Sequence, residues 1–401
     1  MREKGSKSEA RLAEESVLST EHPQDIVMLD VSAAFDTVNH KILTERLEHR
    51  LEVRESALDW FKSYLNERKQ FVSIGKTVSD DQYLTCNVPQ GSVLGPALFG
   101  DYSAPVCDIF RRYNIGYHTY ADDTQVYLSF KPNVSEEESI KRLESCLSEV
   151  RDWMASNDLK LNDDKTEFAI IGPTHYIQQV HETAITIGNC EITKTAKVKN
   201  IGAILDSSLT MIPQVNATSK AGWFNLYQIS KLKHFLSFDQ IKIAVHSFVT
   251  SKLDQNNSLL IGLPQTTLLK LRRVQHAAAR LLLQAKKSDH ITPLLIKLHW
   301  LPIEQRIKFK VLLLTYKSLN NQGPQYMQDM LIPYTPSRTL RSSAESLLHQ
   351  PKSRTTYGDH AYSVAAPRLW NSIPCDIKNC ASTFAFKSAL KTLLFKEAFA
   401  A

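Results

Sequence analysis

Tyr120-Ala121-Asp122-Asp123 sets two adjacent carboxylates between apolar runs, and Met28-Leu29-Asp30-Val31-Ser32-Ala33-Ala34-Phe35-Asp36 supplies a third at the end of a short apolar stretch. Three such groups, two adjacent and one remote, can share two divalent cations, which bind oxygen ligands. Two shared cations can activate a hydroxyl and hold a polyphosphate. The tetrapeptide alone reads more often as an ordinary hairpin turn, because Asp suits turn positions. What lies between the two segments decides the matter. Val88-Pro89-Gln90-Gly91-Ser92-Val93-Leu94-Gly95-Pro96 reads as a loop running into a helix, with Pro96 in the first helical turn. The order is therefore carboxylate strand, Gln-Gly loop, Asp-Asp hairpin.

Outward from these segments the chain reads as an α+β layer with helices on one side of an antiparallel sheet. Asp25-Ile26-Val27-Met28-Leu29 is short and apolar, as a buried strand ending at Asp30 should be. Two amphipathic helices follow, the second with Leu58, Phe61, Tyr64 and Leu65 at helical spacing, and residues 70–88 read as a hairpin. Tyr117–Phe130 reads as strand, Asp-Asp turn, strand. Ile140, Leu143, Leu147, Val150 and Met154 form a helical stripe that reads as core. Strands are expected at about 167–172 and 198–205, and a final amphipathic helix near 383–399. Asp36, beyond the strand end, reads as a helix cap or turn residue.

The 401 residues suffice for two or more domains, and 43% hydrophobic with 22% charged residues describe a globular chain, not a disordered one. No apolar run reaches the roughly 18 residues of a spanning helix. The N-terminus lacks the apolar centre of a signal peptide, so an intracellular protein, nuclear or cytoplasmic, is expected. The 6 cysteines are scattered, as free thiols in a reducing compartment would be. Cys375 and Cys380 have no neighbouring His or second Cys pair to complete a zinc site. The net charge of +6 hides an asymmetry, about −10 over residues 1–216 and about +16 over 217–401. An acidic half suits metal chelation, and a basic half suits nucleic-acid backbones.

Leu29–Val38, Pro89–Pro96 and Tyr120–Gln125 closely resemble motifs A, B and C of reverse transcriptases, nearest to non-LTR retrotransposons of the jockey-like and related clades. Leu159-Lys160-Leu161-Asn162 with Asp164-Lys165-Thr166-Glu167-Phe168 looks like motif D. Val198-Lys199-Asn200-Ile201-Gly202 with Leu205-Asp206 looks like the primer-grip region. Asp289-His290-Ile291-Thr292-Pro293, Leu298-His299-Trp300-Leu301-Pro302 and Ala365-Ala366-Pro367-Arg368-Leu369-Trp370-Asn371 resemble the stretches that follow the polymerase in these elements.

The resemblance implies a right-hand polymerase palm, a helical thumb, and nucleotidyl transfer of dNTPs to a DNA primer on an RNA template. It implies that Asp30, Asp122 and Asp123 hold two Mg²⁺ ions, with Mn²⁺ as a substitute. Lys165 becomes a proton donor or phosphate contact. Phe35 becomes an aromatic gate against a ribose 2′-hydroxyl, and Gln90, Gly91 and Tyr120 contact substrate. Arg272, Arg273, Arg280, Lys286 and Lys287, read as one helical stretch, would track the template–primer backbone. Trp300, Trp370 and Tyr357 read as packing residues. The expected domains are a flexible lead-in over 1–24, the palm over 25–210, a basic thumb-like region over 211–331, and a linker with C-terminal segment over 332–401.

The chain departs from the family pattern in three places. The residues ahead of Asp30 do not resemble fingers, Gly100-Asp101 stands in the motif B helix where the family usually has a small polar residue and then an apolar one, and Asp254-Gln255-Asn256-Asn257-Ser258 departs from a usual Tyr-Cys pair. Weak polymerisation by this chain alone is therefore expected, and a non-catalytic remnant that binds RNA is the alternative. An RNA-dependent RNA polymerase is disfavoured by Phe35, since such an enzyme must admit the 2′-hydroxyl.

Overall fold

The computed structural model describes residues 23–89, 91–335, 346–353 and 358–399. Residues 1–22 of the expected lead-in, Gln90 and Tyr357 fall outside the described residues, as does much of the expected linker, while Gln24, expected in the lead-in, opens the first strand. The chain forms two compact units that divide between Gly202 and Ala203, where the sequence reading ended the palm at 210.

The first unit is built on four antiparallel strands, β1 (Gln24–Leu29), β2 (Gly116–Tyr120), β3 (Asp123–Ser129) and β4 (Glu167–Ile171), in the spatial order β4-β1-β3-β2. β1 lies between two partners and every one of its residues is buried, which explains its unbroken apolar run. Alternation divides the sheet into two faces. Val27, Leu29, Val126, Leu128, Phe168 and Ile170 point into one hydrophobic core. That core includes Phe99 and Tyr102 of helix Gly95–Ser103 and Leu143, Leu147 and Val150 of helix Glu136–Ala155. The expected helical stripe is fully buried: Ile140, Leu143, Leu147, Val150 and Met154 are each at most 5% exposed. Short strand Lys197–Asn200 packs against β1 and β4.

Two local details differ from the sequence reading, and a third gives Asp36 the turn role that was one of its two expected ones. The turn between β2 and β3 is Ala121-Asp122, with Ala121 at φ +53°, so Asp123 opens β3 and pairs with Tyr120. Helix His40–His49 is capped by Asn39, whose side chain accepts from the Lys41 and Ile42 amides, and this leaves Asp36 to the preceding turn. A hairpin of Ala184–Ile187 with Cys190–Thr193 follows β4; the alternation of Ile185 and Ile187 and the Gly188-Asn189 turn signal it, and the sequence reading passed over them.

The second unit is helical. Ile212–Leu232 and Gln265–Leu283 cross closely at Gly222, where a Cβ would lie 2.6 Å from Val274 Cγ1. Helix Ile303–Leu319 packs on Tyr362–Ser372 and Thr383–Phe399. Tyr316 stacks on Phe386 at 4.1 Å between ring centroids and donates to the Cys380 carbonyl. Trp300 and Trp370 are buried packing residues, and the Trp370 indole donates to the Ser346 carbonyl. All six cysteines are free. Among the described residues no helix is long and apolar enough to cross a membrane.

Candidate active site

β1 delivers Asp30 to the end of the sheet that carries the Ala121-Asp122 turn. Leu29 pairs with Thr124, so Asp30 comes level with Asp123, and alternation puts both in the row of Met28 and Gln125. The Asp30 carbonyl accepts from the Asn162 amide at 2.8 Å, which ties β1 to the Lys165 turn. The Asp123 carboxyl is pushed up, first by burial, then by Asp122 and Asp30, and the Lys199 ammonium opposes this. Asp123 is an exposed residue, so the repulsion is screened. Lys165 Nζ lies 3.7 Å from Asp30 Oδ2, both side chains being partly exposed. As these side chains lie, no three carboxylate, imidazole or thiol groups among the described residues stand close enough together to hold an ion.

Behind Asp123 is a small cavity of about 30 Å³, bordered also by Tyr120, His118, Gln125, Lys199 and Asn200. The buried Asn200 amide donates to Gln125 Oε1 at 2.9 Å, joining β3 to strand Lys197–Asn200. His118 and Gln125 face each other across the hairpin. His118 Nε2 and Gln125 Nε2 are both buried without a hydrogen-bond partner. Burial pushes the His118 imidazole down to about 4, so it is neutral at pH 7. The sequence reading placed Asn200 near a primer and Lys199 in the same region, but gave no role to His118 or Gln125. The last two could have been found by stepping two residues along each strand from Tyr120 and Asp123.

The other expected site residues are distributed as follows. Phe35 is half-buried against Phe99, with ring centroids 5.4 Å apart, and its carbonyl accepts from the Val88 amide at the entrance of the Gln-Gly loop. Gly91 is exposed at φ +79°, a conformation glycine adopts without strain. Gln90 lies outside the described residues. Asp101, on the helix that follows, is half-buried.

The five basic residues expected to track the template–primer backbone do not form one face. Arg272 is held by Glu304 at 2.5 Å, and Arg280 is half-buried and donates to the Asp289 carbonyl. Arg273 is exposed on the helix. Lys286 and Lys287 are exposed beyond the helix end, because Gln284 at φ +50° terminates it. The sequence reading had carried the helix through them.

Several comparisons bear on this arrangement. The chain is 27% identical over 212 residues to the probable RNA-directed DNA polymerase from transposon BS of Drosophila melanogaster, covering 51% of this chain and 22% of that protein. It is 29% identical over 187 residues to the RNA-directed DNA polymerase from mobile element jockey of Drosophila funebris, covering 45% and 19%. The chain thus spans about a fifth of the length of these curated relatives. Among solved structures, telomerase from Candida albicans, in complex with a fragment of telomeric RNA, aligns with 76% of this chain and 52% of its own. Its TM-score is 0.35 and its identity 14%. The family model for reverse transcriptase (RNA-dependent DNA polymerase) matches residues 3–205, half of the chain and all of the carboxylate site. The chain belongs to the reverse transcriptase family.

Proposed function

We propose that this chain carries the polymerase core of a non-LTR retrotransposon, extending a primer 3′-hydroxyl with dNTPs on an RNA template. The observation that carries the reading is the strand register that brings Asp30 level with Asp123, beside Asp122, at one end of the sheet. Carboxylate oxygens gathered at one end of a sheet fit a hard divalent cation, which would offset their like charge. Asp30, Asp122 and Asp123 are the residues that would hold it. Bound there, Mg²⁺ would lower the pKa of the primer hydroxyl and neutralise charge on the departing pyrophosphate.

The remaining roles belong to the chain's own side chains. Lys165, whose ammonium already lies beside Asp30, is placed to give a proton to the departing pyrophosphate. Phe35, braced by Phe99, would meet a ribose 2′-hydroxyl with a ring that cannot hydrogen-bond to it. Gly91 lets backbone approach the substrate, and Tyr120 flanks the carboxylates at the hairpin. The hydrogen bond from Asn200 to Gln125 steadies the hairpin that bears Asp122 and Asp123. The exposed Arg273, Lys286 and Lys287 are the basic candidates for template–primer phosphates.

A second reading, a non-catalytic chain that binds RNA, is favoured by one specific fact. Lys165 occupies Asp30 while the three carboxylates stay too far apart to share an ion. Primer extension on poly(rA)·oligo(dT), with Mg²⁺ and then Mn²⁺, separates the two. Incorporation that falls at least about 100-fold in Asp122→Ala supports the polymerase. Retention of poly(rA) at low salt with no incorporation under either cation rejects it in favour of the second reading.

A further inference from the structure

The second unit contains a much larger cavity, about 590 Å³, within the size range of small-molecule sites. It borders Leu298-His299-Trp300-Leu301, a motif with no part in the carboxylate site. Three elements line it in register. Lys242 and His246 stand one helical turn apart, Arg306, Phe309, Lys310 and Leu313 form a single helical stripe, and Lys391 reaches in from the C-terminal helix. The chain is irregular here: a π-helical turn spans His246–Thr250, and His299 sits at φ +52°. Such turns are frequent at functional sites.

The charge is one-sided. The only carboxylate on the lining is Asp254, and Arg306 Nη1 holds both its oxygens at 2.7 and 3.0 Å. Lys242, Lys310 and Lys391 make no ion pair among the described residues. The His246 imidazole is pushed below its ordinary range by burial, and by Arg306 and Lys242 beside it, as expected in a locally positive field.

The remaining lining is specific in another way. Trp300, 5% exposed, meets His246 edge-on at 5.7 Å, and with Leu301 and Phe309 it forms an apolar wall. Asn257 is 4% exposed; its amide nitrogen contacts Asp254, while its buried Oδ1 has no hydrogen-bond partner. The site thus offers ammonium groups, an apolar wall and one buried acceptor. The matching ligand has an anionic group, a flat apolar body and a hydrogen-bond donor. Inorganic phosphate lacks the last two, and a fatty acid lacks the donor.

We infer that this cavity binds a nucleoside monophosphate unit, free or as the 5′-phosphorylated end of a strand, with the phosphate at Lys242, Lys310 and Lys391 and the base against the Trp300 wall. The site contains none of Arg272, Arg273, Arg280, Lys286 or Lys287, and it does not depend on the palm turning over.

The test uses the full chain and a decamer of oligo(U) labelled at its 3′ end, with either a 5′-phosphate or a 5′-hydroxyl, followed by fluorescence anisotropy. The phosphorylated strand should bind about tenfold or more tightly, as expected from one or two charge-assisted contacts. Lys242→Glu/Lys391→Glu, at two exposed positions, should reduce that preference below about twofold, and Lys310→Gln should weaken it. Lys286→Glu/Lys287→Glu should lower affinity for both strands and preserve the preference. Competition by AMP identifies a free-nucleotide site, and its failure identifies a strand-end site. Equal affinity for the two strands with no saturable binding of AMP, or a preference that survives in folded Lys242→Glu/Lys391→Glu, overturns the inference.

Discussion

Replacing His118 with Phe should remove an acid-sensitive weakness from the hairpin that carries Asp122 and Asp123. The imidazole stacks on Tyr127 at 5.2 Å, and a phenyl ring preserves that contact. Burial lowers His118 from 6.5 to about 4, so the fold favours the neutral ring. The unfolded chain therefore takes up the proton first as pH falls. The stability contributed by the neutral ring is fully present above about 6.5 and is lost as pH drops towards about 4. At about 1.4 kcal/mol per tenfold change in proton affinity, the full loss is about 3 kcal/mol, of which about 2 is incurred by pH 5. Hydrogen exchange of the β2 and β3 amides, corrected for the intrinsic pH dependence of exchange, measures the opening free energy locally. Between pH 7.5 and pH 5 the wild-type hairpin should lose about 2 kcal/mol relative to His118→Phe. At pH 7.5 the variant should be at least as stable, because Nε2 lacks a partner to lose. Parallel pH curves for the two proteins would refute the reasoning.

Three further substitutions test the packing around both units. Asp25 is fully buried in β1 with both oxygens unpartnered, and burial raises its carboxyl well above the carboxylate range. Stability from such a group is present below its unfolded value and is lost as pH rises through the folded one. Asp25→Val should therefore raise the melting temperature more at pH 8 than at pH 4, and a lower melting temperature at pH 8 would count against this. Gly222→Ala should cost about 1–3 kcal/mol in urea unfolding, because its Cβ would strike Val274. Val274→Ala in the same chain should recover part of that loss, and independent effects would contradict the close crossing. Asp254→Ala should destabilise the helical unit by about 1–3 kcal/mol, because Arg306, only 14% exposed, would be left unpaired. Asp254→Ala/Arg306→Met should be less damaging than Asp254→Ala alone, and an equal loss would place the cost elsewhere.

Much of the first unit was legible because its signals are local. An apolar run ending in Asp30 can be buried on both flanks only as an inner strand, and Ile140 to Met154 repeat at one helical face. The motif order then fixed which strand ends carry carboxylates. The pairings that complete the site are not local. Lys199 reaches Asp123, and Asn200 reaches Gln125, only because strand Lys197–Asn200 packs back on β1 and β4. A propensity pattern carries no information on that packing. Arg272 reads as a free cation in sequence, yet Glu304 on another helix holds it. Lys286 and Lys287 continue the basic spacing of their helix, but the left-handed Gln284 ends it, and Gln is not a residue that marks such a stop.

Mn²⁺ binding followed by electron paramagnetic resonance addresses the carboxylate site directly, without requiring turnover. The wild-type chain should bind Mn²⁺, and Asp30→Asn, Asp122→Asn and Asp123→Asn should each weaken binding about tenfold or more, since each removes a charged oxygen ligand. Asp36→Asn, at the neighbouring turn, should leave the affinity unchanged. Wild-type binding no tighter than that of the Asp30→Asn/Asp122→Asn/Asp123→Asn chain would contradict a divalent-cation site at these three residues.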